Sequence, residues 1–283
     1  MSAGELELRR ALTQADFDRF AALSGDDNPI HVDPEFSART RFGRTVSHGI
    51  LLVTVLRGLA ERLAPGAALD RHEVRFPAPT FADEPMVFRV WREGDGAIRF
   101  SATRDHDDLV TCDGRFLLPL REKVAAERPD EGSIALSAEG SRVSGSESAV
   151  LPLTPVLRSN PLPRGERVGD SAETSRTFNQ GHVADYVALG GEHPPPGHLP
   201  APLISALFSY LLGVKLPGPG ANYLKQETEF VAPARVGEQL TARVEVTRLR
   251  PEKSLVDLAT TCHGADGRLI ATGRALIFVG DVA

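Results

Sequence analysis

The chain has 283 residues, long enough to bury a sizeable core without disulfides or metals, and its 41% hydrophobic and 25% charged content is that of an ordinary globular protein. A formal net charge of -6 argues against a general nucleic-acid binder, which would carry a basic excess. Two cysteines far apart in sequence, Cys112 and Cys262, with no CxxC, argue against a structural zinc site and fit a reducing compartment. The opening MSAGELELRR is acidic and lacks the apolar core of a signal peptide. The apolar run GILLVTVL at 49–56 is far too short to span a bilayer. A cytoplasmic location is expected, with no membrane span and no nucleic-acid partner.

In chain order, a short helix is expected over residues 15–23, followed by a polar segment dense in functional side chains. A longer helix begins near His48 and runs to about Leu63, with apolar residues on nearly every side, as expected for a helix buried by a sheet. Four strand-like segments follow: HEVRF, MVFRVWR, AIRFSATR and LVTCDGRFLL. Each mixes β-branched and aromatic residues with alternating polar positions. Residues 121–170 are rich in Ser, Gly, Pro and charge, and read as a linker, in part mobile.

The series then recurs. RRALTQADFDRFAALSGDDNP at 9–29 aligns with SRTFNQGHVADYVALGGEHPP at 175–195, and the helix at 48–66 with 201–220. Likewise VRFPAPTFADEP at 74–85 aligns with TEFVAPARVGEQ at 228–239, and VTCDGRFLL with LIATGRALIF. Four blocks in one order indicate duplication. One helix followed by several antiparallel strands, twice, is an α+β pattern. The expected domains are 1–122, a linker over 123–170, and 171–283. The two copies are expected to pack as a pseudo-dimer with one continuous sheet. A homodimer of pseudo-dimers is compatible with the sequence but not specified by it.

The richest chemistry lies in SGDDNPIHVDPEFSARTRFGRTVSHGIL at 24–51. Gly25-Asp26, Asn28-Pro29, His31, Asp33 and His48-Gly49 stand in the order GD, NP, H, D, HG. This combination closely resembles the MaoC-like dehydratases and (R)-specific enoyl-CoA hydratases. The resemblance covers the first copy in detail and the second only as scaffold. It implies two tandem hotdog domains, each an antiparallel sheet wrapped around a long central helix. It also implies reversible hydration of a 2-enoyl thioester carried on coenzyme A or an acyl carrier protein, with no cofactor and no metal. Asp26 and His31 would then supply the general base and acid around one water. The backbone N–H of Gly49, at a helix N-terminus, would receive the developing oxyanion. Asn28, Asp33 and His48 are expected beside the site, with Asp33 orienting the His31 ring. Arg39, Arg41, Arg44 and Arg75 lie near the block and are candidates for coenzyme A phosphates.

The second copy departs from this pattern. Glu192 aligns with Asp26, the stretch that would hold His31 is missing, and Pro202 falls opposite Gly49. Proline there would remove the oxyanion donor. This copy is therefore expected to be non-catalytic, with Leu203, Ile204, Leu207 and Phe208 lining an acyl tunnel in part. Two other readings share the fold: an acyl thioesterase and a non-catalytic acyl-binding subunit.

Overall fold

The computed structural model describes residues 4–94, 96–118 and 165–279. Strand β1 (Glu5–Ala11) is followed by helices α1 (Gln14–Ser24), α2 (Pro29–Val32), α3 (Pro34–Ala38) and α4 (Gly49–Leu63). Strands β2 (Arg71–Arg75), β3 (Pro85–Arg92), β4 (Ile98–Arg104) and β5 (Val110–Leu117) complete the first half. The second half holds β6 (Ser171–Thr177), α5 (Gln180–Ala188) and α6 (Ala201–Tyr210). It continues with a π-helical turn (Leu211–Lys215), β7 (Asn222–Phe230), β8 (Gln239–Arg250), β9 (Leu255–Gly264) and β10 (Leu269–Phe278). The linker expected at 123–170 lies outside the described residues up to 164.

All ten strands form one antiparallel sheet in the order β1-β3-β4-β5-β2-β7-β10-β9-β8-β6. Read from either end, the two halves have the same topology, and they meet where β2 pairs β7 from Arg71↔Glu229 to Arg75↔Lys225. This is the expected double hotdog. Its central helices α4 and α6 pack side by side under the sheet. In α4, Ile50, Leu51, Leu52, Val53, Val55, Leu56 and Leu59 are all buried. Each such side chain contributes about 1.5–3 kcal/mol, enough to override the weak helix preference of the two valines.

The repeats share their helix starts as well. Thr13 caps α1 and exchanges bonds with Asp16 three residues on, while Asn179 caps α5 and exchanges bonds with His182. Phe20 and Tyr186 occupy matching buried positions. Three elements of the first half were not anticipated. Strand β1 is a half-exposed edge of seven residues whose only apolar alternation is Leu6 and Leu8. Helices α2 and α3 are single turns, each begun by a proline at its first position.

The halves also come into close contact where α4 meets the loop after α5. A Cβ built on Gly58 would lie 1.9 Å from the Gly190 carbonyl oxygen and 2.9 Å from the Gly191 carbonyl carbon. Both neighbours are backbone and cannot rotate away. Gly58→Ala should therefore lower stability by about 1–3 kcal/mol despite alanine's better helix propensity. Urea unfolding followed by far-UV circular dichroism measures it; an unchanged midpoint would show that the halves are not held this closely.

Candidate active site

The site forms where the first half's loops close against the second half's helix. Helix α1 ends at Gly25 in a left-handed conformation, φ 82°, which turns the chain inward and delivers Asp26 to the interior. Asp26 is only 1% exposed. Its backbone N–H donates to Ser24 Oγ at 3.1 Å, and its carbonyl accepts from His48 Nε2 at 2.8 Å. Its carboxylate is met from the other half: Ser209 Oγ donates to Oδ2 at 2.8 Å. Oδ1 is buried without a hydrogen-bond partner. Burial pushes the Asp26 carboxyl above its ordinary value, against the opposing charge of His31 and the Ser209 hydrogen bond.

Asn28 ties the same loop across the interface. Its Oδ1 accepts from the Ile30 N–H to cap α2, and its Nδ2 donates to the Gly213 carbonyl at 2.9 Å. Asn28-Pro29 thus starts a helical turn that brings His31 back toward Asp26. The arm is closed on itself by Val46 N–H to the Ile30 carbonyl and by Ser37 Oγ to the same oxygen.

His31 is oriented by the Val46 carbonyl, 2.6 Å from its Nδ1. A carbonyl only accepts, so Nδ1 donates to it and Nε2 is the ring nitrogen left for another partner. The expected orienting role for Asp33 does not appear: its carboxylate accepts from Phe36 N–H at 2.9 Å and caps α3. A short polar residue just before Pro-Glu-Phe is better placed to cap than to reach back. The His48 ring stacks on His31 with centroids 3.8 Å apart and planes 30° apart. Burial, reinforced by nearby His31, holds His48 well below the ordinary histidine value, so it is neutral and serves as a packed hydrogen-bond donor.

Asp26, His31 and His48 could each offer one ligand atom, all within 4.8 Å of one another. The set does not fit a metal. Stacked imidazoles send their in-plane lone pairs side by side rather than toward one point, and His48 Nε2 is already committed to the Asp26 carbonyl.

A cavity of about 160 Å³ joins Asp26, His31 and Gly49 with Phe76, Pro77, Ala78 and Pro79, and with Ser209, Leu212, Gly213 and Tyr223 of the second half. Gly49 is the first residue of α4, and no side chain caps that helix. Its N–H is therefore one of the donors that a helix leaves without an internal partner. A Cβ there would lie 2.7 Å from the Phe76 ring, so glycine lets that ring pack directly against the start of α4.

Of the four candidate arginines, Arg41 lines the cavity. Arg44 donates to the Ala82 carbonyl, Arg75 pairs with Asp113 at 2.6 Å, and exposed Arg39 follows α3. Ser209 and Gly213 were missed. The two central helices align on their first residues, Gly49 with Ala201, which puts Ser209 opposite Arg57. Matching the apolar runs instead slides the register by one residue and hides this pair. The same slip misplaced Pro202: Ala201 stands at the Gly49 position, so a backbone N–H persists there. Leu203, Leu207 and Phe208 are core, and Ile204 lines a different cavity. The expected tunnel is therefore not formed by that helix face.

Residues 3–111 match the family described as MaoC like domain. The chain is 47% identical to the (R)-specific enoyl-CoA hydratase of Rhodospirillum rubrum over 129 residues, covering 39% of this chain and 86% of the relative. It is 37% identical to the (R)-specific enoyl-CoA hydratase of Aeromonas caviae over 124 residues, covering 39% of this chain and 92% of the relative. A Mycobacterium tuberculosis protein described as having a double hotdog fold superposes with a TM-score of 0.69 at 13% identity, covering 98% of this chain and 97% of that one. At that identity the likeness is one of fold.

The raised Asp26 carboxyl has a consequence for stability. A folded-state value above the unfolded one means that folding binds protons, so stability falls as pH rises through that interval and the cost is complete above it. Asp26→Asn removes the charge while keeping the shape. It should raise the melting temperature at pH 7 by roughly 2–4 °C, the shift expected for about 1 kcal/mol in a large domain. The gain should vanish below about pH 4, where the unfolded aspartate is itself protonated. Scanning calorimetry across pH checks both; a destabilised variant at pH 7 would contradict the burial cost.

Proposed function

Because the chain belongs to the MaoC-like family of hydratases and dehydratases, we propose that it adds water reversibly to 2-enoyl thioesters, forming (R)-3-hydroxyacyl thioesters. It is a hydro-lyase. The observation that carries this reading is that Asp26 and His31 line one cavity, with Asp26 Oδ1 lacking a hydrogen-bond partner and His31 Nε2 not engaged by the Val46 carbonyl.

Together these atoms can hold one water. In the hydration direction the water oxygen bonds to C3, and one member of the pair takes the proton released. The other delivers a proton to C2 as the C2–C3 double bond becomes single, so the pair's proton count is unchanged over the cycle. Negative charge collects meanwhile on the thioester oxygen, where the Gly49 N–H and the positive end of α4 stabilise it. Dehydration runs the same steps backwards. The Phe76 to Pro79 loop supplies an apolar wall for the thioester arm, and Arg41, at the cavity, is the candidate contact for an anionic carrier group. Free, buried Cys112 and Cys262 support a reducing, cytoplasmic setting. No helix among the described residues is long and apolar enough to cross a membrane.

The cavity, at about 160 Å³, is smaller than the roughly 300–1,000 Å³ usual for drug-sized ligands. This favours short acyl chains over the long chains that a tunnel would have admitted.

The test is loss of enone absorbance with purified protein and 2-enoyl-CoAs of increasing length, with free thiol followed in parallel. Wild type should consume crotonyl-CoA without releasing thiol, and kcat/KM should fall for chains beyond about six carbons. Asp26→Asn and His31→Ala should each lose at least about a hundredfold. The double variant should be little worse than the weaker single one, since both residues handle one water. Thiol release would make the protein a thioesterase, and near-normal turnover by either folded variant would remove that residue from the mechanism.

A further inference from the structure

The twofold relation between the halves generates a second cavity, and the structure shows which parts of the first one it keeps. Phe76 N–H donates to the Leu224 carbonyl at 2.9 Å, and Phe230 N–H to the Asp70 carbonyl at 2.7 Å. Ser47 N–H donates to the Thr80 carbonyl at 2.8 Å, and Leu199 N–H to the Ala234 carbonyl at 2.9 Å. Gly49, Phe76, Ala78 and Pro79 thereby correspond to Ala201, Phe230, Ala232 and Pro233, and these four line the second cavity. Helix α6 opens there with Pro200 before it and no side-chain cap, so its first N–H groups are unsatisfied by the helix. This cavity measures about 680 Å³, against about 160 Å³ for the first. The extra room lies where α2 and α3 would sit, since residues 192–200 contain no helix.

What the cavity lacks is the acid–base pair. Glu192, in the place of Asp26, receives the Tyr186 hydroxyl and lies 3.4 Å from Arg57 Nε. His193 and His198 lie at the same cavity, but His193 is exposed and His198 Nδ1 lies 3.2 Å from the Pro196 carbonyl, and among the described residues no arm corresponds to α2–α3. Arg57 stands where the first site has Ser209, and its side chain is only 5% exposed. Nη2 donates to the Ala67 carbonyl at 2.8 Å, while Nη1 is buried without a hydrogen-bond partner. Arg57 lines the cavity, and a buried guanidinium donor without an acceptor calls for an oxygen. An enoyl chain has no acceptor at C3, whereas a 3-hydroxyacyl chain carries one there.

We propose that the second cavity binds a 3-hydroxyacyl thioester, the product of the first site, without turning it over. The thioester oxygen faces the Ala201 N–H and the 3-hydroxyl faces Arg57. This rests on the hydratase reading of the first site. The experiment is calorimetric titration of the full-length Asp26→Asn chain, whose turnover is slowed at least about a hundredfold, with a four-carbon (R)-3-hydroxyacyl-CoA and separately with crotonyl-CoA. Two binding events per chain are expected for the hydroxyacyl ligand, the second at least about tenfold weaker for the enoyl one. Adding Ala68→Trp should abolish the second event alone, because Ala68 is an exposed residue at this cavity and a tryptophan there fills it without disturbing the core. One event per chain, a second event that survives Ala68→Trp, or equal second-site affinity for both ligands would overturn the proposal. If wild type hydrates crotonyl-CoA in those cases, the first site's assignment stands; absence of both turnover and binding removes the hydratase reading itself.

Discussion

The pairing of β2 with β7 is the interaction on which the site depends. Five residue pairs join two five-stranded sheets into one, and this fixes α4 against α6 beneath them. Only in that arrangement can Ser209 reach Asp26, Asn28 reach Gly213, and Arg57 reach Glu192. The solvent face of the seam sets Glu73 opposite Glu227, a repulsive pair. Arg115 and Arg71 hold the Glu73 carboxyl below its ordinary value, and Arg274 and Lys225 hold that of Glu227 down to about 2. The two like charges are thus neutralised by partners from strands on both sides of the join.

Duplication followed by divergence explains the unequal ends of the helix pair. At one end a neutral hydroxyl, Ser209, meets a buried aspartate whose Oδ1 has no hydrogen-bond partner. At the other, Arg57 and Tyr186 both engage Glu192. Burial raises the Glu192 carboxyl and the Arg57 charge opposes that rise. A carboxylate held by two protein partners is poorly placed to handle a water. Two differences, Arg57 in the place of Ser209 and the absence of helices over residues 192–200, separate the two ends.

The fold was legible because each level of the sequence agreed with the next. Capping residues at Thr13 and Asn179, apolar helices and alternating strands recur in one order. Asp26, His31 and Gly49 were legible because their spacing is short and their turn residues explicit, and the structure brings all three to one cavity. The misses share a physical cause, which is dependence on a partner distant in sequence. Ser209 lies 183 positions from Asp26, in a helix whose register an apolar match leaves free to slide. Strand β1 is defined by β3 across the sheet edge more than by its own seven residues. Asp33 and the arginines are polar groups near a motif, and which neighbour claims them is decided only by local geometry: a helix cap for Asp33, the Asp113 carboxylate for Arg75.

The central claim is that the second half tunes the catalytic carboxylate of the first. Kinetics of Ser209→Ala across pH test it most directly. The Ser209 hydrogen bond lowers the Asp26 carboxyl against the rise caused by burial, so its loss should move that carboxyl higher. The account predicts a kcat lower by about tenfold, the loss for a hydrogen bond of roughly 1.4 kcal/mol, with KM little changed. The acidic limb of kcat/KM should shift to higher pH. A folded Ser209→Ala variant with wild-type kcat and an unshifted acidic limb would contradict it.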